Sequence, residues 1–175
     1  MFRNSIVAAA ALAVGCALTA CGSSTEPSPA PRESARQQLP RARCGVDLAS
    51  PVVRDAIARL PVEPVTATPW SADPATLAGN FDPCVTLSTA IVTIEGATGS
   101  SPQHALLFHR GEYVGTATEK AYGFTTLAAS ASTDDTVVLD YKTPGSCNAC
   151  DDGAHTQVGF HWDGQRVVMN GTPPG

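Results

Sequence analysis

The chain has 175 residues, with 11 Lys and Arg against 16 Asp and Glu, a formal net charge of −5, and 43% hydrophobic residues. That length suits one domain with a real core. The acidic balance, strongest in residues 44–175, which hold no basic cluster or stripe, argues against nucleic acid as a partner.

The first feature in chain order is a leader. Arg3 supplies a short positive start, Ile6 to Val14 an uncharged apolar run, and small residues lead to Leu18-Thr19-Ala20-Cys21, followed by polar Gly22-Ser23-Ser24. This is the layout of a secretory signal, and its end has the form of a bacterial lipobox. The reading makes residues 1–20 a lipoprotein signal peptide and Cys21 the site of lipidation. The apolar run falls short of the roughly 20 residues that span a bilayer. Cys16, behind Ala13-Val14-Gly15, is a poorer second match, because no large aliphatic residue stands three positions before it. Each buried methylene contributes about 0.8 kcal/mol, so two acyl chains on one cysteine hold a protein on a membrane without protein contacts. The expected location is the outer face of the cytoplasmic membrane, in the cell envelope.

Residues 21–43 read as the lipidated cysteine and a disordered tether. Pro27, Pro29, Pro31 and Pro40 break any helix, apolar residues are scarce, and Arg32, Arg36, Arg41 and Arg43 outnumber Glu26 and Glu33. Such a segment cannot build a core and runs extended as a spacer. Residues 44–175 form the expected single domain. They carry six Lys and Arg against 14 Asp and Glu, a net charge of −8.

Without Cys16 and Cys21, four cysteines remain: Cys44, Cys84, Cys147 and Cys150. An even number in an exported domain favours disulfides, with three connectivities open. The preferred set is Cys44–Cys84, pinning the first segment of the domain to the start of the sheet, with Cys147–Cys150. The CxxC spacing of Cys147 and Cys150 also admits a redox pair or half of a zinc site. A redox pair needs a helix N-terminus behind it, whereas Asp151-Asp152-Gly153 follow. A zinc site needs a second CxxC or HxxxH, which the sequence lacks.

The domain opens on an amphipathic helix from Ser50 to Pro61. Ser50 caps it, Pro51 suits its first position and Pro61 stops it. Val52, Val53, Ala56, Ile57 and Leu60 fall on one face. A proline-rich loop follows to Pro83; its Trp70 and Phe81 either bury the loop against the core or stack on a ligand.

From Ser88 to Ile94 the β-branched run predicts a strand. His104–His109 and Glu112–Thr116 predict a hairpin with Arg110-Gly111 at its tip, pairing Phe108 with Tyr113, Leu107 with Val114 and His109 with Glu112. Thr136–Lys142 alternates Val137, Leu139 and Tyr141 with Thr136, Val138, Asp140 and Lys142. Asp163-Gly164 predicts a two-residue type I′ turn, placing Trp162 opposite Gln165, Phe160 opposite Val167 and Val158 opposite Met169. The expected fold class is α+β: one N-terminal amphipathic helix followed by an antiparallel meander of about five to six strands.

Phe81-Asp82-Pro83-Cys84, the segment HALLFHRGEYVG from His104 to Gly115, and Trp162-Asp163-Gly164 with Val167-Val168-Met169 resemble the LppP/LprE lipoproteins of mycobacteria and related actinobacteria. The resemblance covers about Cys44 to Pro173. It implies an envelope lipoprotein on the outer side of the membrane and supplies no catalytic residue.

Four histidines, His104, His109, His155 and His161, could act as bases, but no Gly-x-Ser-x-Gly elbow supplies a nucleophile. His104 and His109 stand five apart, on opposite faces of one strand. His109 opposite Glu112 is an acid–base candidate or a plain polar pair. No phosphate-binding loop appears. Asp134-Asp135 and Asp151-Asp152 read as turn residues without calcium-loop spacing. The sequence therefore predicts no catalytic residue, no metal and no cofactor. It favours a lipid-anchored, non-enzymatic domain whose partners are the membrane, through the anchor, and an unidentified small molecule, lipid or envelope protein. The alternatives are an envelope hydrolase or thiol–disulfide enzyme and a purely structural protein. A deep apolar cleft would point to a lipid or hydrophobic ligand.

Overall fold

The structure, a computed structural model, describes residues 43–175. The expected signal peptide, the expected lipidation site Cys21 and most of the expected tether lie outside the described residues. Among the described residues no helix is long and apolar enough to cross a membrane.

The helix forms where the capping pattern places it, but it is short. α1 covers Pro51–Ile57, and the Ser50 hydroxyl accepts a bond from the Val52 N–H at 3.3 Å. Beyond Ile57 the bonds tighten: Arg59 N–H donates to Ala56 and Leu60 N–H to Ile57. The chain thus reaches Pro61 in turns rather than in a regular helix. Val53, Ala56 and Ile57 are buried, while Val52 lies on the exposed side.

The strands are β1 (Ala78–Gly79), β2 (Ser88–Thr93), β3 (Gln103–His109), β4 (Glu112–Thr116), β5 (Thr125–Leu127), β6 (Thr136–Thr143), β7 (Ala154–Trp162) and β8 (Val167–Asn170). They form two antiparallel four-stranded sheets, β1-β2-β3-β4 and β5-β6-β7-β8. The expected α+β class with one meander is therefore corrected: the domain is mostly β, with two sheets and a single seven-residue helix.

The reason lies in the side chains of β2 and β3. Ala90, Val92, Leu106 and Phe108 pack with α1, Trp70 and Phe81 in one core. Ile91, Ala105 and Leu107 enter a second core with Val137, Leu139 and Tyr141 of β6 and Val158 and Phe160 of β7. A strand buried on both faces reads as a continuous apolar run, not as alternation. The first sheet is thus a middle layer, covered by the helix and its loops on one face and by the second sheet on the other. β6 and β7 alternate, and their polar positions, such as Asp140 and His155, lie on the side away from that core.

Hairpin registers also depart from expectation. Phe108 pairs with Tyr113 and His109 with Glu112, but a bulge then sets Leu107 opposite Gly115, not Val114. Arg110 and Gly111 both take positive φ, 48° and 79°, as a type I′ turn requires. A Cβ on Gly111 would also come within 2.9 Å of Pro83. At the last hairpin Trp162 pairs with Val167 and Phe160 with Met169, two residues beyond the expected register. The loop holds four residues because the Asp163 carboxylate accepts the Gln165 and Arg166 N–H groups at 2.8 and 2.9 Å. A slip of two keeps each side chain on its face, so the apolar set is preserved. Bonds from the Arg166 and Gln165 backbone hold the Asp163 carboxyl below its usual pKa.

Cys44 is bridged to Cys84 and Cys147 to Cys150. The first bridge ties the segment before α1 to the segment before β2, beside a bond from Asp47 N–H to the Phe81 carbonyl. The second closes a turn in the β6–β7 connection, where Lys142 Nζ donates to the Cys150 carbonyl at 2.7 Å.

Candidate functional site

A cleft of about 810 Å³ opens where three parts of the domain meet: the loop after α1, the first residues of β3 with the β4–β5 connection, and β8 with the C-terminal segment. Pro61 breaks the chain out of its helical turns, and Trp70 anchors the loop by donating its indole N–H to the Pro61 carbonyl at 2.8 Å. The loop itself is held by Glu63. Its carboxylate accepts Thr66 N–H at 2.6 Å, the Thr66 hydroxyl at 2.8 Å and Val65 N–H at 3.1 Å. The backbone bond from Thr66 is the main cause of its lowered pKa.

That arrangement turns Val62 and Val65 outward, 57% and 87% exposed, and Met169 of β8 is 48% exposed. All three line the cleft. Single exposed apolar residues are ordinary; here three of them share the rim of one concavity. Volume and lining fall in the range of small-molecule sites, which are mostly apolar with few polar groups.

The wall contains Trp70 and His104, whose rings lie 5.3 Å apart and tilted. His104 is 9% exposed, and its Nδ1 is buried without a hydrogen-bond partner. Burial lowers its pKa, so the ring is neutral near pH 7. Tyr122 forms another part of the wall. It is fixed by reciprocal backbone bonds with Gln103 at 2.9 and 3.0 Å and packs edge-on against buried Tyr141 at 5.1 Å. Burial pushes the Tyr141 phenol up to about 12. Lys120 places its ammonium 4.8 Å from the Tyr122 ring centre.

The other sequence candidates are scattered. His109 is turned from Glu112 toward the second sheet: its ring stacks on Trp162 at 3.8 Å and its Nδ1 bonds the Thr86 carbonyl at 2.7 Å. His155 bonds Asp140 at 2.9 Å, and His161 meets the Thr136 hydroxyl at 3.1 Å. Asp135 caps Thr133 and Thr136 hydroxyls, and Asp152 accepts the Ser146 N–H. Cys147 and Cys150 close a turn with no helix behind them. Among the described residues no group of three metal-ligating side chains comes together. Of the two loop aromatics, Phe81 is core, while Trp70 is both buried and part of the cleft wall. Sequence reasoning missed Val62, Val65 and Met169; only their apolar character beside prolines and chain ends could have signalled them.

The LppP/LprE lipoprotein family matches residues 79–165, from β1 to the β7–β8 turn. His104 and the β4–β5 connection fall inside this region, whereas Val62, Val65, Trp70 and Met169 fall outside it. A protein of Mycobacterium leprae named lipoprotein LprE is 36% identical over 126 residues, 72% of this chain and 58% of the relative. Its namesake in Mycobacterium tuberculosis strain H37Rv is 34% identical over 132 residues, 75% of this chain and 61% of the relative. The chain thus spans 58–61% of the length of these relatives. No solved structure matches it. Family and relatives agree on a lipoprotein, a class associated with the membrane of the cell envelope, and the chain belongs to the LppP/LprE lipoprotein family.

Proposed function

We propose that this protein is a lipid-anchored, non-enzymatic binding module of the cell envelope that holds a small apolar molecule in the cleft between the α1 loop, the β4–β5 connection and β8. Cys21 carries the anchor and faces the protein outward. The observation that carries the binding role is the cleft of about 810 Å³ whose rim leaves Val62, Val65 and Met169 exposed. Apolar side chains kept at a concave rim gain by being covered, at about 25 cal/mol per Å². The scattered histidines, each with a structural partner or none, and the paired cysteines support a holding role over turnover.

Nile red titration of the full chain tests this reading. Placing a carboxylate on the rim by Val65→Asp or Met169→Asp disfavours an apolar occupant, and both sites are exposed enough to spare the fold. Each substitution is expected to weaken the dye by about tenfold, the cost of roughly 1.4 kcal/mol, whereas Gln157→Asp on the outer face of the second sheet leaves it unchanged. Equal binding by all four proteins would place the dye elsewhere and overturn the proposal.

A further inference from the structure

The polar groups of the cleft differ in what they still have to offer. Glu63 Oε2 takes the bonds from Thr66 and Val65, which fix the carboxylate to its own loop. The Thr118 hydroxyl donates to the Lys120 carbonyl at 2.8 Å. Lys120 itself is exposed at the mouth with its ammonium over Tyr122. Among the wall residues, His104 is the one with a fully buried side-chain nitrogen that has no hydrogen-bond partner.

Its chemistry can be narrowed further. A neutral imidazole carries one N–H and one lone pair. Nδ1 is buried and has no partner. An orphaned buried N–H is rarer in proteins than an under-satisfied acceptor, so the lone pair belongs on Nδ1 and the proton on Nε2. The part of the ring that stays accessible lines the cleft, where the N–H serves as a donor. A carboxylate beside this neutral ring would lose hydration against Trp70 and Tyr122 and would meet the Glu63 and Glu119 carboxylates that line the same cleft, against the single ammonium of Lys120 at its mouth, a costly burial. An uncharged oxygen would not.

Resting on the cleft reading above, we infer that the ligand is an uncharged, oxygen-bearing apolar molecule, of the ester or ketone class, whose carbonyl accepts a hydrogen bond from His104 while its hydrocarbon part covers the cleft rim.

Displacement of Nile red from the full chain at pH 7 by tetradecane, methyl myristate and myristate tests it. Methyl myristate is expected to displace best. His104→Phe, which keeps a ring against Trp70, should weaken methyl myristate about fivefold, the loss of one neutral hydrogen bond, and leave tetradecane unchanged. His104→Gln, which returns a donor, should restore most of the loss. Myristate as the best competitor would assign recognition to Lys120 and overturn the inference. So would equal weakening of ester and alkane by His104→Phe. In both of those outcomes the cleft still binds; absence of any saturable dye signal in the wild-type chain would instead overturn the cleft reading, and the inference with it.

Discussion

Replacing Phe108 with alanine is expected to lower the free energy of unfolding by about 3–5 kcal/mol, the range for truncating a fully buried phenylalanine. Phe108 is wholly buried on the helix-side face of β3. It meets Phe81 edge-on with ring centres 4.7 Å apart and Tyr113 at 5.7 Å. Removing the ring strips contacts from the loop, the sheet and β4 together, and α1 packs into the same core. The backbones of both neighbours are fixed, Phe81 by the bond from Asp47 N–H to its carbonyl and Tyr113 by pairing across the hairpin, which limits how far the site can close. Val114→Ala, at the exposed bulge of the next strand, serves as the contrast and should cost less than about 1 kcal/mol. Equilibrium urea unfolding of the two variants checks this. A Phe108→Ala loss below that of Val114→Ala would mean that β3 does not lie between two cores.

The second large effect concerns the disulfides. The Cys44–Cys84 bridge closes a loop with a sequence separation of 40, the Cys147–Cys150 bridge one of 3. In the chain-entropy treatment the first constrains the unfolded chain by about 4 kcal/mol and the second by about 2. The longer loop contains α1 and the proline-rich loop, which cover the first sheet and supply one wall of the cleft, and the edge strand β1 of that sheet. Cys44→Ser with Cys84→Ser should therefore shift the urea midpoint about twice as far as Cys147→Ser with Cys150→Ser. It should also weaken Nile red, because Val62, Val65 and Trp70 lose their tether. A larger shift from the short bridge would show that the β6–β7 turn, and not the opening layer, limits stability.

Much of this architecture is legible in local chemistry. Ser50, Pro51 and Pro61 bracket a helical segment, and the alternation of Val137, Leu139 and Tyr141 gives the inward face of β6. What misleads is periodicity: HALLF between His104 and Phe108 is apolar without alternation, the mark of a strand covered on both sides, and reading it as half of a single meander hides the second sheet. The two-residue slip at Asp163-Gly164 has a comparably local cause, since Asp163 can cap two N–H groups and lengthen the turn without moving any side chain to the other face. The cleft is the least legible part. Its walls come from residues as distant as Val62, His104, Lys120 and Met169, and no motif links them; only the packing of the two sheets and the α1 loop brings them together.

The most direct test of the account is native mass spectrometry of the full chain released from membranes. The account predicts a protein that begins at Cys21, bears a diacylglyceryl group, is lighter by four hydrogens for two disulfides, and carries one further uncharged apolar molecule that the Met169→Asp variant loses. A chain that retains residues 1–20 without lipid, or a lipidated chain with the same adducts in the wild type and in Met169→Asp, would contradict it.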